Sequence, residues 1–273
     1  MRFIVFSLLF FIAILNVYGI VIKKDTVCYA NRNGIHLNLE IMTPSKIERK
    51  VPVIVFFFGG GWIKGGRGQF KHQAEYFAQK GLVTVLADYR TKQLCGATPF
   101  DCVKDAKSVI RFIKERAETL KVDTTKIVAS GGSAGGHLAA ACAYISCYNE
   151  PDDNMAISSR PSALVLFNPV IDNSEKGYGS KTVKKEYKYF SPLHNIKGNN
   201  ALPTLFMIGS KDKLIPLITA ENYKRITEEN GAICELRVYE GQEHGFFNYK
   251  PNNIYYDITL QEMEKFLKIL GYL

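Results

Sequence analysis

The 273-residue chain is 47% hydrophobic and 22% charged, the composition of a globular protein with a sizeable core. Its length suits one α/β domain rather than two. The formal net charge of +9 comes from scattered lysines, densest in the "KTVKKEYK" of 181–188, and no basic-aromatic motif is present. We interpret this charge as a solvated surface, so we expect no nucleic-acid partner.

The first residues differ from the rest of the chain. Arg2 precedes the apolar run "FIVFSLLFFIAIL", and "NVYG" follows it. A basic start, an apolar stretch of about 7–15 residues and a small exit residue are typical of a secretory signal peptide. We therefore expect residues 1–19 to be cleaved after Gly19 and the protein to be secreted or periplasmic. A transmembrane anchor is the alternative, but the run is short of the ~18–20 residues of a span, so we expect no stable membrane anchor.

Six cysteines lie at positions 28, 95, 102, 142, 147 and 234. An exported chain can pair cysteines, but in a domain of this size they also serve as small buried apolar side chains. Their spacings match no zinc-binding pattern. We expect no metal site, and either no disulfide or one.

The predicted elements begin with a hairpin. Asn33-Gly34 separates two strand-like runs, and the second run alternates apolar and polar residues from Ile35 to Ile41. The continuous apolar run "VPVIVFFF" (51–58) indicates a strand buried on both faces. It ends in "GGGWIKGG". A helix is predicted next, from Gln69 to Lys80, and then a second buried strand at "LVTVLADYR".

Helices and buried strands alternate through the rest of the chain. "TPFDCVKDAKSVIRFIKERAETL" is predicted to be one helix with a Thr-Pro start, followed by the strand "KIVASGG" and the helix "SAGGHLAAACAYI". "SALVLFNPV" and "PTLFMIGSKD" are the next strands. A helix then spans Pro216 to Asn230, "CELRVYEG" is the last strand, and "IYYDITLQEMEKFLKIL" is the final helix.

This alternation predicts an α/β fold. We expect a mainly parallel central sheet, an N-terminal antiparallel hairpin and helices on both faces. Ligand sites of such sheets lie at the carboxyl ends of the strands. The glycine triplet, "GGSAGG", "GSKD" and "GQEHGF" each follow a predicted strand. We therefore expect these four segments to form one active site.

The segment "GGSAG" fits the pattern G-x-S-x-G, with Ser133 at its centre. This pattern describes a tight strand-to-helix turn that holds a strained serine above the sheet. The residues two positions away must be tiny, because strand and helix nearly touch there. A predicted strand precedes the segment and a predicted helix follows it, so Ser133 is the candidate nucleophile rather than part of a structural turn.

A serine hydroxyl needs a base, usually a histidine held by a carboxylate. Of the five histidines, His244 alone follows the last strand, in a glycine-containing loop, and it is the candidate base. His137 is nearer in sequence but is predicted to point along its helix. Asp212, just past "TLFMIGS", is the favoured acid, with Asp172 in "NPVID" as its competitor. The chain order serine, aspartate, histidine is the one expected on this type of sheet.

The intermediate of acyl transfer carries an oxyanion that needs preorganised N–H donors. Glycines let a backbone approach a ligand closely. The N–H groups of Gly60, Gly61 and Ala134 are the predicted oxyanion donors. Trp62, the residue after the glycine triplet, is a candidate substrate contact.

The sequence resembles the α/β-hydrolase superfamily, in the esterase/lipase branch related to hormone-sensitive lipase, and is similar to the secreted feruloyl and acetyl-xylan esterases. The motifs "GGGW", "DYR", "GGSAGGHLAA", "FNPV", "GSKDKLIP" and "YEGQEHGFFN" carry this resemblance. It implies Ser133, Asp212 and His244 as a catalytic triad, with the three oxyanion donors named above. One difference is Phe58, which replaces the histidine that usually opens and orients the loop. That replacement puts the rate or the rigidity of the loop in question, not the reaction type.

We therefore expect residues 20–273 to form a single α/β-hydrolase catalytic domain with little or no cap. Only the segments 148–160 and 172–200 are available to cover the site. The predicted activity is that of a secreted serine carboxylic-ester hydrolase without a cofactor. Its substrate would be a small ester or an esterified polysaccharide, such as acetyl or feruloyl esters of plant polysaccharide. The alternatives are a general short-chain carboxylesterase, an aryl formamidase, and a non-catalytic binding protein on the same scaffold.

Overall fold

The structure is a computed structural model that describes residues 20–273. The predicted signal peptide, residues 1–19, lies outside the described residues. From residue 20 onward, no helix is long and apolar enough to cross a membrane.

The predicted α/β fold is confirmed. In the described residues the sheet has eight strands, in the order β1-β2-β4-β3-β5-β6-β7-β8. β1 pairs antiparallel with β2, and β2 pairs antiparallel with β4, while β4, β3, β5, β6, β7 and β8 run parallel to one another. The strands are β1 (Ile22–Arg32), β2 (Ile35–Pro44), β3 (Val51–Phe57), β4 (Val83–Ala87), β5 (Val122–Gly132), β6 (Ala163–Phe167), β7 (Thr204–Gly209) and β8 (Cys234–Tyr239).

Helices follow most of the strands and cover the sheet. They are α1 (Lys71–Gln79), α2 (Lys92–Cys95), α3 (Pro99–Glu115), α4 (Ala117–Leu120), α5 (Ala134–Tyr144), α6 (Ser180–Val183), α7 (Tyr187–Phe190), α8 (Leu217–Glu229) and α9 (Ile254–Ile269). Short 3₁₀ segments lie at Arg67–Phe70, Lys184–Glu186 and Pro192–Asn195.

Two predicted helices differ in their boundaries. The helix predicted from Gln69 starts as the 3₁₀ turn, and α1 begins two residues later, at Lys71. The single helix predicted after Thr98 divides at Arg116, whose φ of −101° and ψ of 16° leave the helical region. The left-handed Lys121 (φ 55°) then directs the chain into β5. Apolar spacing continues through this break, so periodicity alone does not reveal it.

The central strands are apolar on both faces because both faces are covered. Along β3, Val53, Val55 and Phe57 belong to one hydrophobic cluster, whereas Ile54 and Phe56 belong to the other. Alternate side chains of a strand point to opposite faces, so the run fills two cores at once. Every residue of α5 is buried as well. The sheet and this helix therefore form a rigid base for the residues at their junction.

The segment 148–160 does not cover the predicted site. It carries Asp153, which accepts hydrogen bonds from Arg111 and from Ser108 of α3, at 2.7 Å each. Glu150 in the same segment pairs with Arg90, which also forms a 2.7 Å ion pair with the fully buried Asp105. This segment is thus bound to buried residues of α3, among charges that compensate one another.

The segment 172–200 forms a small cap instead. It contains α6 and α7, and its aromatic side chains pack on Trp62 from the loop after β3. The ring centroids of Tyr178 and Phe190 lie 5.7 and 5.9 Å from that of Trp62. The cap is therefore held in place by contact with the glycine-rich loop itself.

All six cysteines are unpaired in the structure of residues 20–273.

Candidate active site

Ser133 lies at the junction of β5 and α5, in the strained conformation that the sequence pattern predicts. Its φ is 53° and its ψ is −119°, an unusual region for a residue with a side chain. Its N–H donates to the Phe167 carbonyl at 2.9 Å. Its own carbonyl accepts from His137 N and Val170 N at 3.1 and 3.0 Å. These bonds fix the strained turn between two neighbouring strands and a buried helix.

The glycines beside Ser133 are required by contact distances. A Cβ atom on Gly131 would lie 2.4 Å from the carbonyl carbon and oxygen of Gly135. A Cβ on Gly135 would lie 2.1 Å from the Phe57 carbonyl oxygen. Such distances are well inside van der Waals contact with backbone atoms, which cannot move aside. The small residues of this turn are thus steric clearances and not flexible linkers.

His244 and Asp212 form a short hydrogen-bonded pair beside the turn. His244 Nδ1 lies 2.7 Å from Asp212 Oδ2. The Asp212 side chain is fully buried, and its Oδ1 accepts from Leu214 N and Ile215 N at 2.9 and 3.0 Å. Three of the roughly four lone-pair sites of the carboxylate are engaged, so the imidazole is held in one orientation with Nδ1 as the donor.

The other predicted candidates lie elsewhere. Asp172 caps its own loop by accepting from Ser174 N at 2.8 Å, and its nearest imidazole is His194 at 4.0 Å. His137 is completely buried, and its Nε2 lies 3.1 Å from the Phe190 carbonyl oxygen. Burial lowers the pKa of His137 to about 3, although the bond to Phe190 opposes the shift. His137 therefore stays neutral under the cap and contacts no reacting group.

Asn168 is a site residue that the sequence analysis missed. It follows β6, is fully buried and has a φ of 34°. Its Oδ1 accepts from Gly245 N at 2.9 Å, and its Nδ2 lies 3.4 Å from His244 Nε2. Among the hydrogen bonds of residues 20–273, none joins Ser133 Oγ to that nitrogen. Catalytic hydrogen bonds are often long without substrate and tighten when it binds. The motif "FNPV" contained the asparagine but gave no sign of its contact.

The glycine-rich loop presents free backbone N–H groups. Gly60 and Gly61 have φ values of 120° and 66°, which favour glycine. The Gly60 carbonyl accepts from Ile63 N and Lys64 N, which closes the loop. Within residues 20–273, the N–H groups of Gly60, Gly61 and Ala134 have no acceptor. This leaves all three predicted oxyanion donors available to a ligand.

Phe58 opens this loop and is held by stacking. Its ring lies 4.0 Å from that of Tyr89, at an interplanar angle of 14°. The Tyr89 hydroxyl donates to the Phe58 carbonyl at 2.8 Å. Gly65 packs directly against the same ring. A Cβ at this position would lie only 2.5 Å from Phe58 Cδ2, so only glycine fits there. The strand end is thus fixed by an aromatic stack where the resemblance led us to expect a histidine.

Trp62 is only 3% exposed and packs edge-on against His137 at 5.2 Å. It also lines a cavity of about 170 Å³ beside the glycine-rich loop, together with Gly61, Pro99 and Tyr178. Trp62 is thus mainly a packing residue, with part of its surface turned to this cavity. In the described part of the chain, no group of three histidine, cysteine or acidic side chains is arranged to hold a metal ion.

The mainly parallel sheet, the strained serine turn and the imidazole–carboxylate pair define an α/β-hydrolase of the esterase class. The BD-FAE family model matches residues 39–177, and that of the dienelactone hydrolase family matches residues 171–269. The chain belongs to the BD-FAE family.

Similar proteins are named as esterases. Thermogutta terrifontis esterase 2 is 38% identical, with a TM-score of 0.86 over 92% of this chain and 96% of that one. A probable isoprenylcysteine alpha-carbonyl methylesterase of Oryza sativa subsp. japonica is 25% identical over 76% of this chain and 53% of its own length. An acetylxylan esterase of Xylanibacter ruminicola is 24% identical over 77% of this chain and 44% of its own length. The chain spans about half the length of these curated relatives.

Proposed function

We propose that the protein is an exported serine carboxylic-ester hydrolase, with Ser133, His244 and Asp212 as its catalytic residues. The observation that carries the proposal is the 2.7 Å pair between His244 and a fully buried Asp212, at the sheet edge that also bears Ser133. A surface histidine has no need of a buried carboxylate that is itself fixed by two backbone donors. The apolar run that follows Arg2 supports export.

The geometry supports a two-step mechanism. Ser133 Oγ attacks the ester carbonyl while His244 Nε2 takes its proton, and Asp212 stabilises the imidazolium that forms. The N–H groups of Gly60, Gly61 and Ala134 bind the oxyanion. When the intermediate collapses, the alcohol leaves with the proton from His244, and an acyl-enzyme remains. Water then gives its proton to His244 and attacks the acyl carbon. When this second intermediate collapses, the acid leaves and His244 returns the proton to Ser133 Oγ.

Acetyl or feruloyl esters of plant polysaccharide are the proposed substrates. Export brings an enzyme to extracellular polymers, and an acetylxylan esterase is among the similar proteins. A general short-chain carboxylesterase is the second candidate. It is favoured by structures of Thermogutta terrifontis esterase 2 with propionate and with butyrate bound.

Two measurements test the proposal. Ser133→Ala should abolish hydrolysis of p-nitrophenyl acetate while the circular dichroism spectrum stays that of the wild type. A fluorophosphonate probe should label the wild type at Ser133 and leave the variant unlabelled. Retained activity in the variant would refute the assignment of the nucleophile, and absence of labelling in the wild type would favour a binding protein.

A substrate panel separates the two candidates. Release of acetate from xylan, or of ferulate from arabinoxylan, at a kcat/KM above that for p-nitrophenyl butyrate supports the polysaccharide. Inertness towards both polymers together with turnover of small esters supports the short-chain carboxylesterase.

A further inference from the structure

We propose that Gln69 and Asn248 are positioning residues. They connect the glycine-rich loop after β3, called here the oxyanion loop, to the loop after β8 that carries His244, called here the base loop. The inference rests on the proposed function, because it assigns what holds two parts of that site in register. Gln69 lies in none of the motifs that identified the site, and Asn248 is the last residue of "YEGQEHGFFN", where the sequence analysis assigned it no role. The two side chains meet across 179 positions of sequence.

The contacts form an unbroken line from one loop to the other. Gly59 N donates to Gln69 Oε1 at 2.6 Å, directly before the two glycines that present the oxyanion donors. Gln69 Nε2 donates to Asn248 Oδ1 at 2.8 Å. Asn248 Nδ2 donates to the carbonyl of Gly245 at 2.8 Å, and Gly245 follows His244 directly. We call this line the amide relay.

The two ends of the amide relay fix its direction. A backbone N–H can only donate, so the Gln69 oxygen must face Gly59 and the Gln69 nitrogen must face Asn248. A backbone carbonyl can only accept, so the Asn248 nitrogen must face Gly245 and its oxygen must face Gln69. Both side-chain amides thus have a single orientation that satisfies all three bonds. Flipping either amide would place like groups against each other.

Gly245 is held from its other side as well. Its N–H donates to Asn168 Oδ1, at the carboxyl end of β6, and its carbonyl belongs to the amide relay. The residue next to the general base is therefore clamped between β6 and the oxyanion loop. A shift of the oxyanion loop would be transmitted to His244, and the reverse, because each bond has little freedom of length.

The start of the oxyanion loop needs such a support. Phe58 has no polar side-chain atom, and its stack on Tyr89 holds the strand end without reaching the base loop. Gln69 lies in the 3₁₀ turn Arg67–Phe70, whose Phe70 is buried in the core and anchors the turn. The amide relay thus connects this fixed turn, the oxyanion loop and the base loop.

The test is a set of variants of the full chain, assayed on p-nitrophenyl acetate. Gln69→Leu should lower kcat by about 10- to 100-fold and change KM by less than about 3-fold. Misplaced oxyanion donors stabilise the transition state less but leave substrate binding unchanged. Gln69→Glu keeps an acceptor for Gly59 N and loses the donor to Asn248. It should therefore recover part of the lost kcat. Asn248→Asp, which keeps its acceptor and loses its donor to Gly245, should lower kcat in the same way.

The double variant gives the sharpest readout. Because Gln69 and Asn248 act as one relay, the loss in Gln69→Leu/Asn248→Ala should be smaller than the product of the single losses. Losses that multiply, or a Gln69→Leu enzyme with wild-type kcat, would overturn the proposal. So would a Gln69→Glu enzyme no better than Gln69→Leu. If Gln69→Leu fails to fold, the near-isosteric single variants Gln69→Glu and Asn248→Asp decide: each should lower kcat with KM changed by less than about 3-fold, and wild-type kcat in both would overturn the proposal.

The matched control is Gln79→Leu, at the exposed end of α1. It should keep wild-type kcat and KM; if it loses kcat as Gln69→Leu does, the effect is not specific to the relay and the proposal is wrong. Fluorophosphonate labelling of the wild type separates this proposal from the proposed function. If the wild type is labelled and Gln69→Leu keeps the wild-type kcat, only the amide relay is refuted. If the wild type is not labelled, the proposed esterase function is refuted.

Discussion

His244 has two ring nitrogens, and their partners decide which one is free to accept a proton. Nδ1 lies 2.7 Å from Asp212 Oδ2, which accepts only, so Nδ1 carries the hydrogen in the neutral ring. Asn168 Oδ1 accepts from Gly245 N, which turns its Nδ2 towards His244 Nε2. Both neighbours therefore favour the tautomer with a lone pair on Nε2. That is the tautomer a general base needs.

We expect Asp212→Asn to lower kcat by about 10³- to 10⁴-fold, since an amide can donate to Nδ1 and so stabilise the wrong tautomer. Steady-state hydrolysis of p-nitrophenyl acetate measures the loss. The control is Asp172→Asn, at the rival carboxylate, which should keep kcat within about 2-fold because its contacts are to its own loop. A comparable loss in Asp172→Asn would show that the wrong acid was chosen.

The catalytic candidates were predictable from the sequence, but the residues that support them were not. Ser133, Asp212 and His244 each follow a recognisable strand, and parallel strands bring their carboxyl ends to one edge. Gln69 lies in a short 3₁₀ turn, and Asn168 and Asn248 lie in loops, where amides are common. What distinguishes them is a contact with a distant loop. Such contacts depend on the packing of several elements and leave no local pattern.

At the scale of elements, α3 shows how local chemistry fixes a boundary. Thr98 Oγ1 accepts from Asp101 N at 3.3 Å, and Asp101 Oδ2 accepts from Thr98 N at 3.0 Å. This reciprocal capping box stands directly before Pro99, at the first helical position. Burial alone would raise the pKa of Asp101, but the hydrogen bonds from Thr98, together with the charges of Lys104 and Arg90, lower it. The start of α3 was predicted correctly because its signal is local.

Thr98→Ala should reduce the free energy of unfolding by about 1 kcal/mol, the usual loss for an N-cap of this kind. Urea denaturation followed by circular dichroism measures the change. Thr119→Ala is the control, because Thr119 is exposed and makes no side-chain hydrogen bond in the described residues. If both variants unfold at the same urea concentration as the wild type, the capping box contributes nothing to stability.

At the scale of the whole molecule, the main feature is the imidazole of His137, which is completely buried in the core. His137 lies under the cap, stacked on Phe190 at 4.3 Å and edge-on to Trp62. Its pKa is lowered by burial from 6.5 to about 3. As pH falls below 6.5 the unfolded chain binds a proton that the native protein does not bind until about pH 3. The stability contributed by the neutral ring is therefore full above pH 6.5 and is lost between pH 6.5 and pH 3.

The wild type should lose about 2 kcal/mol of unfolding free energy between pH 7 and pH 5, in excess of any change in a His137→Gln variant. Most carboxylates titrate below this window, so the difference isolates the imidazole. Urea denaturation at pH 7 and at pH 5 gives the slope of the unfolding free energy against pH for each protein. His36→Gln, at an exposed position of β2, should keep the wild-type slope. Equal slopes in the wild type and His137→Gln would mean that the buried ring is not what makes the protein acid-sensitive.

The six unpaired cysteines have a consequence for how the molecule can be produced and handled. Without a covalent crosslink in its native state, the domain needs no oxidant to reach its fold, and a reductant such as dithiothreitol should leave its melting temperature unchanged. Cys28 and Cys95 are exposed, Cys147 is partly buried, and Cys102, Cys142 and Cys234 are buried, where burial raises the pKa of all three thiols. A thiol-specific dye should therefore react at once with the two exposed sulfurs and with the buried ones only after denaturation. In an oxidising compartment, those two exposed positions are where mixed disulfides and covalent dimers would form.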